Sequence, residues 1–205
     1  MNVFILGATG RVGSKVLLQA VRDHHNVSVL VRSPEKLSIK EGITIVEGDV
    51  LNEDDVMKAS EGADVIISAL GTDKTTTLSD STPILLSVMK KQGIKRIITV
   101  GTAGILNSRT DPGVYRFESS ESKRKTTRAA KEHLAVYEML NRSQVEWTII
   151  CPTYLPEGDA RGSYRVEDDY LPEDGKEIST GDTANFVYQE LLEKKHLLKR
   201  VGIAY

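Results

Sequence analysis

One cysteine, Cys151, stands in a chain of 205 residues. That excludes an internal disulfide and any multi-cysteine metal site. Cys151 precedes Pro152 with no evident base partner, so a buried structural thiol is expected. Charge of one sign is equally scarce: 27 Lys and Arg against 29 Asp and Glu leave a net −2. Such a balance gives no bulk attraction for nucleic acid or an anionic membrane. Long apolar runs are missing as well. VIISAL at 65–70 is among the longest, far short of the roughly 20 residues that cross a bilayer. Met1-Asn2 leads straight into strand-like sequence, which leaves no room for a signal peptide. The expectation is one cytoplasmic domain over residues 1–205, monomer or homodimer, with neither nucleic acid nor membrane as partner.

What is present is alternation. VFIL (3–6), VSVLV (27–31), ITIV (43–46), DVIISAL (64–70), RIITV (96–100) and VEWTII (145–150) read as strands. They are nearly continuous apolar runs, as suits a parallel sheet covered on both faces. Between them lie amphipathic helix candidates: SKVLLQAVRD, EDDVMKAS capped by Asn52, and TPILLSVMKKQG stopped by Gly93. Late in the chain, Ala184, Val187, Tyr188 and Leu191 recur at helical spacing before a last apolar segment, VGIAY. Residues 101–125 and 153–178 break the pattern and read as loops over a site, the second on the substrate side. The fold class predicted is α/β, a Rossmann-like doubly wound parallel sheet with helices on both faces.

In that architecture GATGRVG (7–13) occupies the first strand-to-helix turn. Gly7, Gly10 and Gly13, with Thr9, Arg11 and Val12 between them, suit a tight turn, close approach to a pyrophosphate and helix packing. The helix start that follows offers free N–H groups to phosphate. Arg11 either adds charge there or points to solvent. After the second strand a site for NAD places an acid, which bonds the ribose 2′-hydroxyl. Here the strand ends in Arg32-Ser33, a cationic fork suited to the 2′-phosphate of NADP(H).

LGATGRVGSKV, VLVRSPEKL, VEGDV, VIISALG, RIITVGTAGI and VEWTIICPTYL together resemble an atypical short-chain dehydrogenase/reductase. The branch is the NAD(P)H-binding group that includes flavin/biliverdin reductase B and NmrA-like proteins. The resemblance implies that Asp49 and Val50 meet the adenine, and that Ala69, Leu70 and Gly71 meet the ribose and pyrophosphate side. It also implies Pro152 and Thr153 at the nicotinamide end, with Tyr154 beside the substrate. Asp49 reads equally as turn chemistry in GDVLNEDD.

The family's Tyr-x-x-x-Lys pair is absent: no tyrosine has a lysine four places on. Two candidates for catalysis remain. Thr102 stands where the family has its active-site serine, or it satisfies local turn groups. His133 in KEHLAVYEML resembles the histidine of the flavin/biliverdin reductases. It donates a proton near neutral pH, or it packs at the core edge. The basic run Lys123, Arg124, Lys125, Arg128 and Lys131 reads as a solvated helix start, or as a rim that attracts an anionic acceptor. The acids Glu167, Asp168, Asp169, Glu173 and Asp174 lack metal-loop spacing and read as a solvated loop, so no metal is expected. The favoured activity is NADPH-dependent hydride transfer to a flavin, quinone or similar planar acceptor. The alternative is a non-catalytic NADP(H)-binding redox sensor of NmrA-like type. Sugar-nucleotide epimerases of the superfamily normally keep the tyrosine and lysine.

Overall fold

Runs of Val, Ile and Leu need cover on both faces of a sheet, and the computed structural model supplies it. It describes residues 1–122 and 126–205, so Lys123, Arg124 and Lys125 of the basic run lie outside the described residues. The elements begin with β1 (Asn2–Leu6), α1 (Gly13–Arg22), β2 (Asn26–Val31), β3 (Ile43–Glu47), α2 (Glu53–Ala59) and β4 (Val65–Ser68). There follow α3 (Thr77–Gln92), β5 (Arg96–Val100), α4 (Arg128–Asn141), β6 (Glu146–Pro152), β7 (Arg165–Asp168), α5 (Thr180–Glu193) and β8 (Lys199–Ala204).

The strands form one sheet in the order β3-β2-β1-β4-β5-β6-β8-β7. Neighbours are parallel except β7 and β8. The chain builds outward from β1 to β3, returns to lay β4 beside β1, and then builds the other way. That reversal opens a crevice beyond the C-terminal ends of β1 and β4, where doubly wound sheets take their ligands. This is the Rossmann-like α/β fold that the alternation predicts.

Strand periodicity divides β1 between two apolar layers. Phe4 and Leu6 join Leu85, Met89 and Leu140, from α3 and α4, on one face. Val3 and Ile5 join Val16, Leu17 and Val187, from α1 and α5, on the other. Asn52 caps α2 as its position predicts, accepting from the Asp54 and Asp55 amides at 2.9 and 3.3 Å. Gly93 ends α3 in the left-handed conformation.

Three expectations need correction. The third helix begins at Thr77, five residues before the predicted Thr82, and carries Pro83 inside it. Hydroxyls support that first turn: Thr76 donates to Asp80 (2.6 Å) and Ser79 donates to Glu132 (3.0 Å). Inside the predicted loop 153–178, Arg165–Asp168 form β7, antiparallel to β8 at the sheet edge. Four exposed or half-exposed residues give too short an alternation to announce a strand. The acids near it are not merely solvated. Glu167 pairs with Arg109, Asp168 with His196 (2.6 Å), and Asp169 with Lys199 and Arg200 (both 3.3 Å). The cations come from other segments, so local sequence did not show the pairing.

Under the sheet's N-terminal end, Arg96 of β5 and Glu190 of α5 form an ion pair at 2.8 Å, their side chains 4% and 1% exposed. Thr148 of β6 joins them, accepting from Arg96 Nη2 at 2.6 Å and donating to Glu190 Oε1 at 3.0 Å. Removing one partner leaves a buried charge unmatched, so Glu190→Ala should cost about 3–5 kcal/mol. Urea unfolding checks this, and a loss under about 1 kcal/mol would count against the pair as a staple.

Candidate functional site

The glycine loop leaves β1 and turns into α1 under tight steric control. Gly7 has φ +76°, and a Cβ there would lie 2.4 Å from the Ala69 carbonyl oxygen. A Cβ on Gly13 would lie 2.2 Å from the Gly7 oxygen. Only glycine lets the loop fold back on itself and against the end of β4. Helix α1 has no side-chain cap and no acid in its first turn. The Gly10 amide donates to Gly7 O and the Ser14 amide to Gly10 O. Among the described residues, the amides of Arg11, Val12 and Gly13 have no backbone acceptor. A row of unpaired N–H groups at a positive dipole end is an anion site.

Arg11 and Val12 line a cleft of about 530 Å³, a volume suited to a cofactor. Of the sequence-predicted residues it brings together Gly7, Thr9, Gly10, Arg11 and Val12; Arg32, Asp49 and Val50; Ala69, Leu70 and Gly71; and His133. Gly13, Ser33, Thr102, Pro152, Thr153 and Tyr154 are not in its wall. Leu155 is the residue of the 152–155 stretch that reaches the cleft, and Arg11 crosses to it, donating from Nη1 to its carbonyl at 2.9 Å. Tyr154 stands 62% exposed. Thr102 caps a short turn, its hydroxyl accepting from the Gly104 amide at 3.4 Å. Arg32 is exposed and makes no ion pair among the described residues.

Sequence reasoning missed Asp73 and Thr75 of the β4–α3 connection and Thr77 at the start of α3, which line the cleft. Their signal was available in GTDKTTT, a polar run directly after a strand at the ligand-binding end of the sheet. Two buried groups hold the loops that follow β5 and β6. Arg200 donates to Asn107 Oδ1 (2.8 Å) and to the Ile105 carbonyl, with its guanidinium 4.5 Å from the Tyr137 ring centroid. Asp182, fully buried, accepts from the Arg161 and Gly162 amides at 2.8 and 2.9 Å and from the Tyr205 hydroxyl. Burial alone would raise its carboxyl. Those hydrogen bonds, with one from Ser179, outweigh burial and hold it below the usual range.

A family model described as NAD(P)H-binding matches residues 7–194. The chain belongs to this NAD(P)H-binding family. It is similar over 100% of its length to a proposed epimerase from Bacteroides thetaiotaomicron, at 28% identity, 96% coverage of that chain and TM-score 0.84. It shares 22% identity and TM-score 0.83 with a proposed NADH-flavin reductase from Streptococcus pneumoniae TIGR4, over 100% of this chain and 99% of that one. ChuY, an anaerobillin reductase from Escherichia coli O157:H7, aligns at 21% identity and TM-score 0.80, covering 98% and 97%. The last two show the shared fold. Among the described residues, no helix is long and apolar enough to cross a membrane.

The residues of this NAD(P)H-binding chain suit the cofactor that its family implies. Unpaired amides meet phosphate, an unpaired guanidinium stands at the far end, and Gly7 and Gly13 keep the cradle free of Cβ atoms.

His133 lines the cleft from α4, and burial pulls its imidazole down to about 4. It is therefore neutral at pH 7 and offers one N–H, not the charged imidazolium that a proton donor near neutrality would use. Cys151 is fully buried, and burial pushes its thiol up to about 12, as a structural thiol requires. The His133 shift carries a sign. A histidine held below its unfolded value supports the fold fully above pH 6.5, and that support is lost as pH falls towards 4. Unfolding titrations should show wild type losing up to about 3 kcal/mol more than His133→Gln over that window. Parallel pH curves would place the imidazole in water.

Proposed function

We propose that the protein is an NADPH-dependent reductase that passes hydride to a planar acceptor, a flavin or a quinone. One observation carries the reading: a single cleft runs from Arg32, past the uncapped start of α1, to His133. A dinucleotide has that order of needs, with phosphate ends in one part and a reactive ring in another.

When bound, the nicotinamide supplies the hydride. The chain's own residues bind, orient and polarise. The amides of Arg11, Val12 and Gly13 take the pyrophosphate, and Ala69, Leu70 and Gly71 flank it from β4. Arg32 takes the 2′-phosphate in a charge-assisted contact, with Ser33 beside it. Asp49 and Val50 border the adenine. Pro152 and Thr153 back the nicotinamide end, and the exposed Tyr154 ring covers the acceptor. His133 supplies a neutral N–H hydrogen bond to the acceptor, while Thr102 orders the turn that closes the ring site. Flavins and quinones take their proton from water, so the missing tyrosine–lysine pair does not prevent turnover. That same absence argues against the sugar-nucleotide chemistry that an epimerase name suggests. The pneumococcal neighbour is named for NADH; the basic residue after β2 supports NADPH here.

Loss of NADPH absorbance with purified protein and a panel of flavin, quinone and biliverdin acceptors tests the activity. Arg32→Ala should raise the KM for NADPH roughly tenfold to a hundredfold and leave that for NADH unchanged. Equal effects on both would remove Arg32 from 2′-phosphate recognition. NADPH binding without turnover of any acceptor would favour the redox sensor.

A further inference from the structure

Behind His133 lies a second, internal space of about 10 Å³, about what the centre of one water molecule sweeps. It lies between β4 and β5 on one side and α3 and α4 on the other. Half of its wall is polar, Ser68, Ser81, Thr82 and Thr99, each no more than 6% exposed, with His133; the rest is apolar, from residues such as Leu85 and Val136. His133 lines both this chamber and the main cleft, and so stands between them.

The hydrogen-bond accounting there is incomplete. Thr82 and Ser81 donate their hydroxyl protons to the Leu78 carbonyl, at 2.7 and 3.4 Å, which leaves their oxygens free to accept. Ser68, Thr99 and the His133 ring nitrogens have no partner among the described residues. The Ser68 and Thr99 hydroxyls lie in nearly buried residues and have no protein partner, so a water that joins them to His133 completes their hydrogen bonding. A dry cavity of this kind is apolar, whereas a polar one of this size holds a water with two to four partners.

We propose that the chamber is a single-water site that fixes His133 in one tautomer. The water accepts from Ser68 and Thr99, donates to one oxygen of Ser81 or Thr82, and donates its second proton to the chamber-side nitrogen of His133. That nitrogen is then the acceptor, so the ring's only proton sits on the cleft side. Ser68 and Thr99 are thus positioning residues: they touch neither cofactor nor acceptor and act by aiming the water. The neutral state of the buried imidazole agrees, since an imidazolium would present a donor to both sides. Only the last link, that the cleft-side N–H meets an acceptor, rests on the reductase reading.

The test is 15N NMR of the four histidines in the full-length protein without cofactor, with the His133 signals assigned by loss in His133→Gln. Wild type should show a single neutral tautomer. Thr99→Val, nearly equal in shape, and Ser68→Ala should each move the pattern towards a mixture of two, with Thr99→Ser restoring it. Melting temperatures identify a variant that fails to fold, in which case the other carries the test. A crystal structure should show one ordered water in the chamber. A tautomer mixture in wild type, a pattern unmoved by both variants, or a dry chamber would overturn the proposal. No acceptor is present, so these results stand apart from turnover. A protein with one tautomer and no turnover keeps the water site and loses the reductase reading.

Discussion

The unpaired amides at the start of α1 are the constraint around which the rest of the structure is arranged. Helices usually end in side-chain caps or acids, and α1 has neither at its N-terminus. The loop before it cannot relax to find other partners. Gly7 is pressed against the Ala69 carbonyl, and Gly13 against Gly7. Three neighbouring N–H groups are therefore left without a backbone acceptor, two of them in residues that line the cleft, Arg11 and Val12. A polar surface of this kind suits water or an anion.

Segments beyond the cleft wall are held differently. The 101–122 segment is tied to β8 through Arg200, and the 156–162 segment to α5 through Asp182. Both are buried charged groups with several hydrogen bonds, the arrangement in which such groups fix one geometry and do not destabilise. Arg11 then joins the two walls through the Leu155 carbonyl. The glycine-loop side of the cleft is thus built from local contacts, and the segments around it are tied by long-range polar ones.

That division explains what could be read in the sequence. Strand runs, the glycine turn, Asn52, Gly93 and the Ala184–Leu191 stripe are local signals, and each has its expected place in the structure. Most of the residues proposed for the cofactor line the cleft, because they fall at fixed offsets from strand ends, whereas Gly13, Ser33, Pro152 and Thr153 do not. Other lining residues were not legible. Leu155, Asp73 and Thr75 reach the cleft through loop paths that no periodicity encodes. Strand β7 is too short and polar to announce itself, and the acids around it take partners as far away as Arg109. His133 was visible as a candidate, but its neutral state depends on the helices and strands that enclose it.

The central claim is that a dinucleotide lies on the amides that α1 leaves free. Titration of NADPH into 15N-labelled protein, followed through the backbone amide shifts, tests it most directly. The largest changes should fall on Arg11, Val12 and Gly13, with smaller ones at Ala69–Gly71. Saturable binding that leaves those amides unmoved, or that moves a different surface, would contradict the account.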